Sequence, residues 1–395
     1  MSLGARVRSQ RTWDNRTMTT SSSAPAARVR RHLAEVIDPE LRLPITELGM
    51  VDTVEVDDHG EAHVGVKLTI EACPMRSRIV EDVTAAAVRA EGVSTAQVEL
   101  GVMTPEERAE LKDHLRGGAE AKVNRFAQED SLTRVYAVAS GKGGVGKSSA
   151  TVNLACAMAA EGLKVGIVDA DVHGFSVPGL MGITAKPTRL DEMILPPVAY
   201  GVKTISIGMF VDGNQAVAWR GPMLHRAVEQ FLTDVHFGDL DVLLLDLPPG
   251  TGDIAISVAQ LLPGSELLVV TTPQGAAADV AERAGALSSQ TDQKVAGVIE
   301  NMGPMSMPDG SVLDLFGSGG GQIVADRLSA ALETEVPLLG SVPLDTSLRR
   351  AGDDGEPAVL SAPDSPAGAA LREIASRLAH RPRNITGRKL PFSPA

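Results

Sequence analysis

The chain has 395 residues, of which 43% are hydrophobic, 22% charged and 3% aromatic, and its formal net charge is -13. This composition is typical of a folded protein of about two to three domains with aliphatic cores. The acidic balance argues against general nucleic-acid binding, the two cysteines are too few for a disulfide framework, and no apolar run is long enough to span a membrane. We therefore expect a cytoplasmic protein with no nucleic-acid partner and no membrane insertion.

The first 26 residues are polar and end in "TMTTSSSAPA". This stretch is predicted to be a disordered lead, because it has too few apolar residues to form a core. Its arginines are not followed by an apolar segment, so it does not have the pattern of a secretory signal. Met18 is an alternative start of the protein.

Residues 27–101 are predicted to form a small α+β domain. The segment "ARVRRHLAEVID" has helical spacing, whereas "MVDTVEVDD" and "EAHVGVKLTI" alternate as strands around a "DHG" turn. A second helix over "PMRSRIVEDVTAAAVRAE" and a third strand over "STAQVELGV" complete the unit. Residues 102–133 are expected to form a short helix and a linker.

Residues 134–380 alternate apolar strand runs with helical segments. The strand runs, such as "DVLLLDLP" and "ELLVVTTP", are almost continuously apolar, which is typical of strands covered on both faces. The pattern predicts an α/β domain with a doubly wound, mostly parallel sheet. Residues 381–395 are expected to be a basic, flexible tail.

The loop between the first strand and first helix of this domain matches the phosphate-loop pattern G-x-x-x-x-G-K-[ST]. It runs through Gly141, Lys142, Gly143, Gly144, Val145, Gly146, Lys147 and Ser148. Its backbone N–H groups and the helix N-terminus are suited to bind the phosphates of a nucleotide. Lys147 is expected to reach the terminal phosphates, and the Ser148 hydroxyl to ligate Mg²⁺. The pattern needs one lysine, so the second, Lys142, requires an explanation.

Polar residues at other strand ends supply the expected partners of this loop. Asp246 stands at the end of a buried strand, which is where P-loop enzymes place the carboxylate that holds the magnesium shell. The N–H of Gly250 is a candidate donor to the γ-phosphate. Asp169 or Asp171 could orient the attacking water, with Asp171 favoured; alternatively, either one caps the following loop. Asn301 is the candidate reader of adenine, and the absence there of a guanine-reading Asn-Lys-x-Asp motif favours ATP.

These motifs resemble those of a known family. The phosphate loop resembles the deviant Walker A of the MinD/ParA class of P-loop ATPases. Together with "DADVHGFSVPGLMG", "WRGPMLHRAVEQFL", "DVLLLDLPPGTGD" and "FGSGGG", it resembles the Mrp/ApbC iron–sulfur cluster carrier family from about Val135 to Ala379. Residues 27–101, through "DPELRLPITELGMV" and "LTIEACP", resemble the small iron–sulfur assembly domain often fused to such proteins.

The resemblance implies a role for Lys142. In this class the early lysine crosses a homodimer interface and touches the phosphates bound by the other subunit, coupling ATP binding to dimer closure. It also implies that the protein hydrolyses ATP, carries a cluster such as [4Fe–4S], and transfers it to apoprotein clients alongside other iron–sulfur assembly proteins. The segment "WRGPMLHRAVEQFL" is expected to lie near the dimer seam.

One departure from the family concerns the cluster itself. Many members carry a CxxC pair between the "ENM" strand end and the "FGSGGG" segment, but here that stretch holds Met305 and Met307 and no cysteine. Thioethers are poor substitutes for thiolates in iron–sulfur sites. Cys73 is then the candidate cluster ligand or a structural thiol, and Cys156 is expected to be a core residue. His173 and His225 are expected to form hydrogen bonds rather than to bind metal.

Two further functions remain open at this point. A MinD/ParA-like spatial organiser would need a basic amphipathic C-terminal helix, for which "ALREIASRLAHRPR" is the candidate, although its length and Pro382 favour a last domain helix. A metal-free scaffold that holds clients in an ATP-dependent way is kept open by the missing CxxC.

Overall fold

The computed structural model describes residues 24–69, 75–116, 123–171, 174–210, 221–250, 253–274, 277–307 and 309–381. The chain forms two compact units. The first comprises the described residues up to Asp38 together with Arg42–Thr104, and the second comprises Pro39–Leu41 and the chain from Pro105 onward. The helix expected within residues 102–133 therefore belongs to the second unit.

The first unit is a three-stranded sheet with two helices. Its elements are α1 (Ala24–Leu33), β1 (Val51–Val56), β2 (Glu61–Leu68), α2 (Arg76–Val88) and β3 (Thr95–Val102). β1 and β2 form an antiparallel hairpin, and β3 pairs in parallel with β2. The alternation of β2 buries Ala62, Val64, Val66 and Leu68.

Helix α1 differs from its prediction at both ends. It begins at Ala24, inside the stretch expected to be a disordered lead, because Ala26, Val29 and Leu33 form a buried stripe from its first turn onward. It ends at Leu33 rather than continuing to Asp38, because the chain turns back on itself and the N–H of Ile45 donates to the carbonyl of Val36 at 3.0 Å.

The second unit alternates strands and helices. Its elements in chain order are α3 (Pro105–Arg116), β4 (Arg134–Ala139), α4 (Lys147–Ala160), β5 (Val165–Asp169), α5 (Val177–Leu180), β6 (Thr188–Leu190), β7 (Met193–Leu195), β8 (Val198–Ala199), β9 (Val202–Ser206), α6 (Gly221–Asp234), β10 (Val242–Asp246), α7 (Asp253–Leu261), β11 (Glu266–Thr271), α8 (Ala277–Thr291), β12 (Val295–Gly303), β13 (Met305–Ser306), β14 (Val312–Leu313), α9 (Gly320–Leu332), β15 (Leu338–Pro343), α10 (Thr346–Asp354), α11 (Ala358–Ser361) and α12 (Pro366–Ala379).

Eight of these strands form one twisted sheet in the order β15-β12-β11-β4-β10-β5-β9-β8. Neighbouring strands are parallel except for the short edge pair β8 and β9. All five residues of β5, β9 and β10 are buried, as the apolar runs predicted. The prediction of a doubly wound, mostly parallel α/β sheet is confirmed.

Helices cover both faces of this sheet. One hydrophobic core includes side chains of α6, α7, α8 and α9, and the other includes side chains of α4 and α12. In α6, Val228, Phe231 and Leu232 are buried, so its predicted apolar face packs into the core. Among the described helices, none combines the length and the apolar character needed to cross a membrane.

Helix α12 is the last helix that the structure describes, and it packs as a helix of the domain, as its length and the following proline predicted. Leu371, Ile374 and Leu378 are at most 1% exposed and pack into the core beside α4. At its C-terminal end, the Arg134 guanidinium donates to the carbonyls of Leu378 and Ala379 at 2.9 and 2.8 Å. The apolar face that a membrane-binding helix would need is therefore buried inside the protein.

Candidate nucleotide site

The candidate site lies at the carboxyl ends of three adjacent strands. Because β4, β10 and β5 are parallel neighbours, Asp246 is in register with Val138 on one side and Asp169 on the other. The phosphate loop leaves β4 at this edge and enters α4. Loop residues, Asp171 and Pro249 line a cleft of about 550 Å³, a volume in the range of small-ligand sites.

The phosphate loop has the backbone conformation that its glycines permit. Gly144 and Gly146 have φ of +77° and +81°, where a side chain would be strained. A Cβ on Gly146 would also lie 2.2 Å from Nδ2 of Asn301. That amide donates to the carbonyl of Val145 at 2.8 Å, across 156 residues of sequence. In this structure Asn301 therefore holds the loop, while its contact with adenine stays a prediction.

Lys147, Ser148 and Asp246 meet at the start of α4, as the sequence predicted they should. Lys147 Nζ lies 2.7 Å from Asp246 Oδ1, and both side chains are at most 7% exposed. The Ser148 hydroxyl donates to Asp246 Oδ2 at 2.5 Å, and the Thr151 hydroxyl donates to Oδ1 at 2.9 Å. A serine hydroxyl beside a carboxylate is the hard-oxygen donor set that Mg²⁺ prefers, so these residues fit the expected ion.

Asp169 and Asp171 have different surroundings. Asp169 is fully buried; its carboxylate accepts from the Ser206 hydroxyl at 2.9 Å and from the backbone N–H of Asp171 at 3.1 Å. Asp171 lines the cleft and accepts from the backbone N–H of Gly174 at 3.0 Å. Asp169 thus positions the segment that carries Asp171, and Asp171 is the aspartate that faces the cleft.

The buried aspartate predicts a pH dependence of stability. Burial, together with the nearby Asp246 carboxylate, raises the pKa of Asp169 to about 8. Between about pH 4 and 8 the native state retains a proton that the unfolded chain releases, so this group's contribution to stability is lost as pH rises through that window. We expect Asp169→Asn to gain stability over the wild type from about pH 5 to about pH 8.5, on the order of a few kcal/mol at most.

Chemical denaturation of the nucleotide-free wild type and Asp169→Asn at about pH 5 and about pH 8.5 measures this difference in the free energy of unfolding. The asparagine preserves the shape of the carboxyl group and can still accept from the N–H of Asp171. Parallel pH profiles for the two proteins would show that Asp169 does not carry the proton.

Lys142 lies on the outer side of the loop. Its Nζ donates to Oε1 of Gln274 at 2.9 Å in an exposed hydrogen bond, so it contacts a residue of its own chain in this structure. Its carbonyl accepts from the Ser140 hydroxyl at 3.0 Å. Unlike Lys147, Lys142 has no contact with Asp246 that would hold it in the cleft, and its role across a dimer interface stays a prediction.

Other contacts hold the ends of the loop. Arg283 of α8 donates to the carbonyl of Gly141 at 2.8 Å, and a Cβ on Gly141 would lie 2.8 Å from Val280. The N–H of Gly250 donates to the carbonyl of Ser140 at 2.9 Å, so this expected γ-phosphate donor bonds the loop in this structure. Sequence reasoning missed Arg283, Gln274, Ser206 and Thr151; only Thr151, one helical turn after Lys147, had a local signal.

The candidate metal-binding residues outside the loop are only partly described. Cys73 and His173 lie outside the described residues, and His225 is half-buried on α6. Cys156 is fully buried, which confirms it as a core residue, and burial raises the pKa of its thiol to about 12. A thiol that stays protonated at neutral pH is a poor cluster ligand.

The "FGSGGG" segment packs closely against the ends of β11 and β12. A Cβ on Gly320 would lie 2.6 Å from the carbonyl oxygen of Pro273, and one on Gly321 would lie 2.6 Å from Cβ of Glu300. The N–H of Gly321 donates to the buried Glu300 carboxylate at 2.7 Å. These glycines therefore allow the start of α9 to approach the strand ends beside the candidate site.

The comparisons with known proteins agree with this geometry. Residues 131–379 match the model of the NUBPL iron-transfer P-loop NTPase family, and residues 26–100 match that of an iron–sulfur cluster assembly protein. A protein from Mycobacterium tuberculosis named iron–sulfur cluster carrier protein is 58% identical to this chain, and the match covers 93% of this chain and 97% of that protein. A protein of the same name from Deinococcus radiodurans is 41% identical, and the match covers 88% of this chain and 93% of that protein. A nucleotide-binding protein from Archaeoglobus fulgidus, solved with ADP, is 34% identical with a TM-score of 0.51, over 60% of this chain and 92% of its own.

Proposed function

The chain belongs to the NUBPL iron-transfer P-loop NTPase family, and from this premise we propose that it is an ATP-dependent iron–sulfur cluster carrier that delivers clusters to apoproteins in the cytoplasm. One observation carries the proposal: the same chain contains a P-loop whose Lys147 and Ser148 contact Asp246, and a segment that matches an iron–sulfur cluster assembly protein. Relatives that match along almost their whole length are named as carriers.

We assign the nucleotide chemistry to residues that already face or border the cleft. The backbone from Gly141 to Gly146 and the Lys147 ammonium would bind the phosphates of ATP, while Ser148 and Asp246 would hold Mg²⁺. Bound Mg²⁺ would neutralise charge on the phosphates. Asp171 would orient the attacking water, because it lines the cleft while Asp169 is fully buried.

Lys142 would act on the neighbouring subunit of a homodimer. Its ammonium forms an exposed hydrogen bond to Gln274, so it can leave this partner at small cost. A cation that reaches the γ-phosphate from the second subunit stabilises charge that develops in phosphoryl transfer. Hydrolysis would then require the closed dimer, and product release would reopen it to hand over cargo.

The identity of the cluster ligand is directly testable. Cys73 is the remaining candidate because Cys156 is buried with a raised pKa, and because the segment around Met305 and Met307 has no cysteine. We expect anaerobic reconstitution with iron and sulfide to give the visible absorbance of a cluster such as [4Fe–4S] in the wild type. Cys73→Ser should lose most of this absorbance and most of the bound iron.

Cys156→Ala is the matched control, since it removes the other thiol without exposing a new surface. It should bind as much iron and sulfide as the wild type. Equal cluster content in Cys73→Ser would exclude Cys73 as a ligand. A wild type that transfers nothing to a cluster-requiring apoenzyme, yet binds it in an ATP-dependent way, would support the metal-free scaffold, which the missing CxxC keeps open.

The spatial-organiser alternative has less support. The apolar face of α12 that a membrane-binding helix would use is buried in the core, through Leu371, Ile374 and Leu378. Strong ATP-dependent co-sedimentation with liposomes or DNA would nevertheless favour the organiser over the carrier. Apoprotein clients and other iron–sulfur assembly proteins are the partners we propose.

A further inference from the structure

The β1–β2 hairpin of the first unit concentrates potential metal ligands. Asp57, His59, Glu61 and His63 lie within one turn and the start of β2. Side chains alternate across a strand, and the neighbours Ala62 and Val64 are buried at 0% and 1% exposure. Glu61 and His63 therefore lie on the opposite, polar face of the small sheet.

Three of these side chains converge. One oxygen of Asp57, one oxygen of Glu61 and one ring nitrogen of His63 all lie within 4.8 Å of one another. Small side-chain rotations would bring such a set around one ion. Glu55 is the residue of β1 in register with His63, so a further carboxylate stands on the neighbouring strand.

Backbone hydrogen bonds of the turn orient the Asp57 side chain. Its Oδ1 accepts from the N–H of His59 at 2.9 Å and from the N–H of Glu61 at 2.8 Å. These two bonds fix the Asp57 carboxylate within the turn. Its second oxygen is left to bind a cation.

The cluster carries negative charge without a basic partner. Within the described part of the chain, no lysine or arginine lies within ion-pair distance of Asp57, Glu61 or Glu55; Lys67 of the same strand pairs with Asp52 at 2.8 Å instead. A divalent cation would neutralise these carboxylates. An imidazole among carboxylates favours first-row transition metals over Mg²⁺ or Ca²⁺, which prefer oxygen ligands alone.

We propose that Asp57, Glu61 and His63 form a binding site for a divalent first-row transition-metal ion such as Zn²⁺, Co²⁺ or Fe²⁺. The site lies in a different unit from the nucleotide cleft and uses no cysteine. It does not depend on the proposed carrier function. Affinity should follow the usual order for nitrogen and oxygen sites, with Zn²⁺ binding more tightly than Co²⁺ or Fe²⁺.

The test uses the full-length protein, stripped of metal, without nucleotide and with excess Mg²⁺ to saturate oxygen-only sites. A Cys73→Ser background removes the candidate cluster thiol as an alternative ligand. We expect Co²⁺ titration to produce visible d–d absorbance that saturates at one ion per chain, and Zn²⁺ to displace it. In the same background, His63→Gln and Glu61→Gln should each weaken binding by about tenfold or more.

His59→Gln is the matched control, because it changes a histidine of the same turn whose ring is not in the converging set. It should bind Co²⁺ as the background protein does, and far-UV circular dichroism should show that all variants are folded. Unchanged binding in both His63→Gln and Glu61→Gln would overturn the proposal. So would equal losses in His59→Gln and His63→Gln, or binding only at millimolar metal, which would indicate an adventitious ion only.

Discussion

Lys147→Ala is expected to abolish nucleotide binding, with the affinity for ATP falling by about 100-fold or more. Lys147 lies in a buried position at the start of α4, where the phosphate loop enters the helix, and its ammonium pairs with Asp246 at 2.7 Å. No other lysine stands inside the cleft among the residues described there. Isothermal titration with ATP and Mg²⁺ measures the change.

A stability control belongs with this variant. Removing Lys147 leaves the Asp246 carboxylate buried without its cation, and breaking a buried pair on one side costs about 3–5 kcal/mol. Thermal unfolding should therefore accompany the titration. If the Lys147→Ala protein is folded and binds ATP as tightly as the wild type, the loop is not the nucleotide site.

Lys142→Ala should separate binding from turnover. Lys142 contributes its backbone to the loop, but its side chain points to Gln274, so we expect ATP affinity within about fivefold of the wild type. Turnover should fall by about 1,000-fold, the lower range for a catalytic cation supplied by a partner. ATP-linked dimerisation, measured by analytical ultracentrifugation, should be lost as well.

Gln274→Ala is the matched control for Lys142. It removes the neighbour that holds the ammonium within its own chain while keeping the cation, so hydrolysis should persist. Normal turnover in Lys142→Ala would refute the action in trans. Loss of turnover in Gln274→Ala together with retained turnover in Lys142→Ala would assign the effect to the Gln274 loop instead.

Mixed dimers distinguish action across the interface from action within one subunit. Asp171→Asn should bind ATP without hydrolysing it, and its Lys142 is intact. Mixed with Lys142→Ala, it would supply the missing cation to a site that still has Asp171, and activity should reappear. If the two inactive proteins form mixed dimers but remain inactive, Lys142 acts on the site of its own subunit.

The sequence by itself determined the features that rest on neighbouring residues. The phosphate loop is contiguous from Gly141 to Ser148, so its pattern of glycines followed by Lys147 and Ser148 can be recognised without any other part of the chain. The apolar strand runs indicated a covered parallel sheet, because such strands bury both faces. The carboxyl ends of those strands then predicted that Asp246 and Asp171 would lie beside the loop.

Only the tertiary structure decided the contacts between distant segments. Asn301 bonds the carbonyl of Val145 across 156 residues, Lys142 bonds Gln274 across 132, and Arg283 bonds Gly141 across 142. These pairings depend on the strand order of the sheet, which places β11 beside β4 and β12 on the far side of β11. Strand order is set by side-chain packing between the sheet and its helices, and that packing has no local signature in the chain.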